Sequence, residues 1–372
     1  MTLRISIGPF DPADPGSDWP VYQSETLAPD FEIVLFREYE EIIYRDTVDV
    51  LICWSPEYAG HLGGIHWGGY KVAVVGDWHI VPFEQMPWLR DYDLIATDRK
   101  GVRRLIELGY PRDKLLAFRQ FSFDPRLHFC PEPDADTPDV RDIDVAFMGR
   151  DVPVRQPFLY ALREWGQRTR RRVHIETEYL RGIEADIYRR SKIVFNLSQR
   201  DELNMRAYEA AACGAMAVLQ HSAMAEIQAA GAQIPTYSSD LTPLPAAMLY
   251  DGSALGQFMD AWLAVPDRVA QQAAKQAAWV QCERPADHLG WLCRQIKERI
   301  NGARLAGDPV GGVGVLRRAG AGYPPDSVGT VRDDPAVPGP SLSDQRPECV
   351  ALVPESARRI LDIGCGTGGV GW

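Results

Sequence analysis

The sequence has no long hydrophobic run. No window of its 372 residues approaches the ~20 apolar positions a membrane-spanning helix needs. The opening MTLRISIGPF lacks the extended apolar core of a secretory signal. Paired cysteines are missing too. Cys53, Cys130, Cys213, Cys282, Cys293, Cys349 and Cys365 stand singly, without a C-x-x-C, which argues against a zinc knuckle or a disulfide framework. No H-E-x-x-H pattern occurs, so no metal site is expected. Positive charge is in deficit, with 40 Lys and Arg against 51 Asp and Glu and a net charge of −11. Nucleic-acid binders usually carry a basic footprint, so no nucleic-acid partner is expected. The one basic run, Arg168 to Arg172, reads as a solvated helix end. These absences lead to the expectation of a soluble, cytoplasmic protein without a transmembrane segment.

What is present is alternation. Apolar, β-rich runs at 3–8, 31–36, 48–54, 71–78, 92–98 and 115–118 predict strands, with helices at roughly 37–46 and 99–109. Pro and acidic residues then cluster from Cys130 to Asp142, a linker composition. The rhythm restarts with strands at 144–149, 173–177, 192–198 and 216–220 and helices at 155–170, 203–213 and 223–230. Helices rich in Ala, Gln and Trp follow across 255–302. The expectation is α/β: a Rossmann-like lobe over 1–130, a second over 131–302, and a cleft at the carboxyl ends of parallel strands. Residues 303–347, dense in Gly and Pro, predict a flexible linker.

The segment 192–219 carries the most chemistry. A buried strand ends at Asn196-Leu197-Ser198, a polar loop follows, and a small-residue helix closes at Cys213-Gly214. The helix N-terminus offers free N–H groups and the positive end of its dipole, an anion site. Arg206 in its first turn can add a charge-assisted bond to a phosphate. Glu209 lies one turn further on, where a carboxylate can accept both ribose hydroxyls.

These residues fit N-x-R-x-F/Y-E-x-x-A-C-G at Asn204, Arg206, Tyr208, Glu209, Ala212, Cys213 and Gly214. The pattern resembles the C-terminal lobe of group 1 glycosyltransferases, in the branch related to spore maturation proteins. The run 145–162, with Gly149 and Arg150 at its glycine loop and Arg155 at the helix start, is similar to that branch. So is 92–128, from the last strand of the first lobe into the junction. The resemblance implies a GT-B fold and a nucleotide-diphosphate sugar as donor substrate, with no further cofactor and no required metal. Carried over by position, Glu209 would hold the ribose, and Arg206, Arg150 and the helix N-terminus the diphosphate. Asp201 stands eight positions before Glu209, a spacing many relatives share, but its flanking residues differ.

If transfer inverts configuration, an acceptor hydroxyl needs a general base from the first lobe. Asp77 and His79, in the GDWH that follows a strand, are the candidates; the alternative for His79 is a structural, hydrogen-bonded histidine. His61, His66 and the tryptophans Trp54, Trp67, Trp78 and Trp88 are open between lining an acceptor pocket and ordinary packing. The acceptor expected is a glycan, a lipid-linked sugar or a protein. A non-catalytic sugar-nucleotide-binding scaffold is the competing reading. Finally, LDIGCGTG within 348–372 resembles motif I of S-adenosylmethionine-dependent methyltransferases, at Asp362, Gly364, Gly366 and Gly368. The stretch is expected to be the start of such a domain, cut short and without cofactor, and a two-enzyme chain is a further alternative.

Overall fold

The computed structural model describes residues 2–10, 30–37, 48–59, 69–120, 122–131, 141–178, 182–199, 202–237 and 253–306. Met1–Arg317 forms one compact unit, and a second, Arg318–Trp372, lies wholly outside the described residues. The helix expected at 37–46, most of the linker at 303–347 and the methyltransferase-like stretch fall outside them, as do His61, His66, Trp67 and Asp201.

The first lobe is a six-stranded sheet ordered β2-β1-β3-β4-β5-β6. Its strands are β1 (Leu3–Gly8), β2 (Phe31–Leu35), β3 (Val50–Trp54), β4 (Tyr70–Val74), β5 (Leu94–Thr97) and β6 (Leu115–Ala117). Every pairing is parallel. All five residues of β3 are buried, as expected of a parallel strand covered on both faces. The period of two divides its neighbours between two cores. Ile5, Val50, Ile52, Val72 and Val74 point to one side. Leu51, Cys53, Ala73, Val75 and Ile95 point to the other, against Val102 and Leu105 of α2 (Arg99–Glu107). A short helix, α1 (Pro56–Ala59), follows β3.

The second lobe is a five-stranded parallel sheet ordered β11-β10-β9-β7-β8. It comprises β7 (Ile143–Met148), β8 (Val173–Glu176), β9 (Ser191–Asn196), β10 (Met216–Gln220) and β11 (Thr236–Tyr237). Its helices are α3 (Gln156–Thr169), α4 (Ile183–Arg189), α5 (Met205–Ala212) and α6 (Met224–Ala229), then α7 (Ser253–Leu263) and α8 (Pro266–Val280). The alanines of α5 explain its close approach to the sheet: Ala207, Ala210 and Ala211 are fully buried against it. Neither α4 nor β11 was expected; α4 has only seven residues, and β11 only two.

The last helix, α9 (Pro285–Ala306), crosses back. Leu289, Leu292, Cys293, Ile296 and Ile300, spaced as one helical face, fill the first-lobe core beside Ile5 and Val50. Each such burial is worth roughly 1.5–3 kcal/mol. Sequence composition alone groups this segment, through residue 302, with the second lobe. Amphipathic spacing shows that a helix buries a face, but not which sheet receives it.

Candidate functional site

At the carboxyl end of β7 the chain turns at Gly149, whose φ of 145° belongs to glycine. A β-carbon there would come within 2.8 Å of the Arg206 Cζ and closer still to its Nη2. Arg206 thus lies over the bare Gly149 backbone. Its Nη1 donates to Asn196 Oδ1 at 2.7 Å, and its guanidinium stands 5.3 Å from the Phe147 ring centroid. Arg155 packs near the same ring, at 5.7 Å, and donates from Nε to the Leu197 carbonyl and from Nη1 to the Arg150 carbonyl, both at 2.9 Å. Arg155 is 6% exposed, and burial, followed by the charges of Arg206 and Arg150, pushes its pKa down to about 10. Three guanidiniums therefore gather round one glycine turn. Glu202 offsets part of that charge at Arg155.

The helix α5 starts beside them. Asn204 stands at its N-cap without capping it, because its side chain is engaged by Asn196, whose Nδ2 donates to Asn204 Oδ1 at 2.6 Å. The first turn therefore has no side-chain cap, and the positive end of the helix adds to the arginines.

Glu209, one turn on, is 2% exposed. Its Oε1 lies 4.0 Å from His128 Nε2, which is itself 3.5 Å from Glu184 Oε1. Glu184 is fully buried, and His128, from the inter-lobe segment, covers both carboxylates. His128 and Glu184 were absent from the sequence reading, and no spacing pattern announces them. They meet because the chain between the lobes passes beside α4 and α5.

In the first lobe β4 ends at Val74, so Asp77 stands in the turn beyond the strand. Glu57 Oε1 accepts from the Gly76 and Asp77 N–H groups at 2.9 and 2.8 Å, fixing that turn. Burial raises the Glu57 pKa, with these bonds acting in opposition. Tyr58 donates its phenol to Asp77 Oδ2 at 2.7 Å. His79 Nδ1 is 3.9 Å from Asp77 Oδ1, too long for a hydrogen bond. Burial, then the bond to Asp77, raises the Tyr58 pKa, while Arg150 across the cleft opposes the rise. Asp77 and Arg150 therefore border the same space. Gly76 lines a gap of about 20 Å³ with Glu202 and Leu203, immediately before Asn204. Sequence reasoning singles out Asp77 but not Glu57 or Tyr58, which lie about twenty positions before it in the chain.

Of the first-lobe tryptophans, the three among the described residues are occupied by packing. Trp54 lies 5.8 Å from Phe10 and 6.2 Å from Phe118, centroid to centroid. Trp78 stacks on Phe83 and donates to Asp98, and Trp88 tilts against Tyr92. Among the described residues no group of three His, Cys, Asp or Glu is placed to hold a metal, and no helix is long and apolar enough to cross a membrane.

Residues 137–288 match the glycosyl transferase-like family. That segment holds Gly149, Arg150, Arg155, Asn204, Arg206 and Glu209. Solved structures resemble the whole two-lobed arrangement. An alpha-glucosyltransferase in complex with UDP and a 13-mer DNA aligns at TM-score 0.53 and 12% identity, over 80% of this chain and 100% of its own. Sucrose-phosphate synthase from Thermosynechococcus elongatus gives 0.51 and 11%, over 80% and 100%. Anabaena HepE in complex with UDP and glucose gives 0.50 and 12%, over the same shares. At these identities the likeness is one of fold, and the fold is GT-B. No curated protein sequence matches the chain.

Proposed function

We propose that this glycosyl transferase-like chain moves a sugar from a nucleotide-diphosphate donor to the hydroxyl of a glycan, lipid-linked or protein acceptor. The observation that carries the reading is the arginine cluster at Gly149. As the bond to the sugar breaks, negative charge grows on the leaving diphosphate. Fixed positive groups in a partly desolvated site stabilise that charge without reorganising. Arg150, Arg155 and Arg206 and the uncapped start of α5 supply them, so the reaction needs no divalent metal. The family match and the UDP held by two fold neighbours agree with such a donor.

Glu209 is assigned the ribose hydroxyls. Its carboxylate sits against His128, so ribose contact requires that cover to move. Asp77, steadied by Tyr58 and the Glu57-anchored turn, is assigned the acceptor proton, with His79 beside it. With Asp77 taking the acceptor proton, the acceptor oxygen attacks the anomeric carbon as the bond to the diphosphate breaks, a single displacement that inverts the anomeric centre.

A thermal-shift and calorimetric screen of nucleotides and nucleotide sugars, followed by assays of transfer and donor hydrolysis, tests this. Arg206→Ala and Glu209→Ala should each weaken binding of the selected nucleotide diphosphate. Equal binding by both variants would remove the site assignment. Binding without turnover on any acceptor would leave a sugar-nucleotide-binding scaffold.

A further inference from the structure

A cavity of about 410 Å³ opens beside the lobe junction, away from the Gly149 turn. Its volume lies within the ~300–1,000 Å³ common for small-molecule sites. One wall is aromatic: Trp291 of α9, 38% exposed, runs parallel to Phe118 at 3° and 6.3 Å. The remaining walls carry charge of both signs in nearly equal number. Three guanidiniums, of Arg99, Arg119 and Arg294, alternate with four carboxylates. Glu283 is already engaged, with Arg119 at 3.2 Å and His288 Nε2 at 2.8 Å.

Two wall groups are not satisfied. Glu226, 7% exposed, leaves Oε1 without a hydrogen-bond partner, and His288, 8% exposed, leaves Nδ1 without one. With Nε2–H donating to Glu283, His288 Nδ1 is an acceptor. Neither atom is open to solvent as the side chains stand, so a donor such as a hydroxyl reaches them once Glu226 and His288 turn toward the cavity. An anion would meet Glu226, and a cation would meet the guanidiniums. An uncharged molecule with many hydroxyls and one apolar face satisfies the hydrogen bonds, the charge balance and the aromatic wall together.

We infer that this cavity seats an uncharged sugar unit of the acceptor. It shares Asp98, Phe118, Arg119 and Glu226 with the gap that reaches Gly76, next to Asp77. A sugar held here is thereby directed toward the transfer centre. The word acceptor rests on the transferase reading; sugar binding does not.

The test uses the full chain with cellobiose, maltose, lactose and N,N′-diacetylchitobiose, by saturation-transfer NMR and calorimetry, with and without saturating UDP. At least one disaccharide should bind, undisplaced by UDP. Trp291→Ala and Glu226→Leu should each weaken it tenfold or more, Trp291→Phe should retain most of the affinity, and Arg206→Ala should leave it unchanged. Melting curves exclude unfolded variants. The inference is overturned if none of the four binds, if Trp291→Ala binds as well as the parent, or if UDP displaces the sugar. It is also overturned if glucose 6-phosphate, measured alongside, binds more tightly than all four. Nucleotide binding measured on the same samples reports separately on the donor site, so the two readings fail independently.

Discussion

Arg206 occupies the space that a side chain on Gly149 would fill. The absence of a β-carbon on β7's turn is what lets a first-turn arginine of α5 reach across to the neighbouring strand. Gly149→Ala should therefore imitate Arg206→Ala. Both should lose about 1.5–3 kcal/mol of charge-assisted contact to a nucleoside diphosphate, or roughly 10- to 100-fold in Kd. Calorimetry with UDP and GDP checks this, and wild-type affinity in Gly149→Ala would refute the proposed contact.

The Tyr58–Asp77 bond predicts a division between binding and chemistry. Asp77→Asn should bind donor within about twofold of the parent yet lose roughly 10²–10⁴ in transfer rate, the range for a general base. Tyr58→Phe should lie between the two. NMR of the product should show an inverted anomeric centre. Retention would exclude Asp77 as the base, as would unchanged turnover in Asp77→Asn.

Glu226 makes stability depend on pH. Burial, then the nearby Asp98, raises its pKa above the ordinary 4.5, against the pull of Arg99, Arg103 and Arg119. The folded protein therefore holds this proton more tightly than the unfolded chain. Its contribution is favourable below about 4.5 and is lost as pH rises through the elevated folded value. Glu226→Gln, which cannot ionise, should melt higher than the parent at pH 7 by on the order of a few °C. The difference should close as pH falls through about 4.5. A lower melting temperature at pH 7 would mean that the charge stabilises the junction.

The crossing helix gives a prediction about stability alone. Ile296 is fully buried against the first sheet. Ile296→Ala should cost ~2–5 kcal/mol. Hydrogen exchange should locate the loss in β1, β3 and β4, although the substitution sits near the far end of the described chain. Loss confined to β7–β10 would contradict the packing.

Much of the fold is legible in the sequence because parallel strands buried on both faces write themselves as unbroken apolar runs. VLICW and MAVLQ are two such runs, and both are wholly buried. The residues assigned to the donor stand out because Gly149 closes a predicted strand and Arg206 opens a predicted helix within a family-like pattern. The groups assigned to the acceptor do not. Tyr58 and Asp77 meet through sheet order, Glu184 and His128 through the path of the inter-lobe segment, and Trp291 reaches Phe118 only because α9 returns. Nothing local distinguishes a helix that stays with its own sheet from one that changes partners.

That return also sets an order of events during synthesis. The apolar face formed by Ile5, Val50 and Val72 is completed by residues as late as Ile300. At ~5–20 residues per second a ribosome needs on the order of 10–60 s to deliver them. Until then the nascent amino-terminal half exposes a sticky surface, while the later lobe has all its own strands in hand. Aggregation during expression is therefore a hazard of the part of the protein made first.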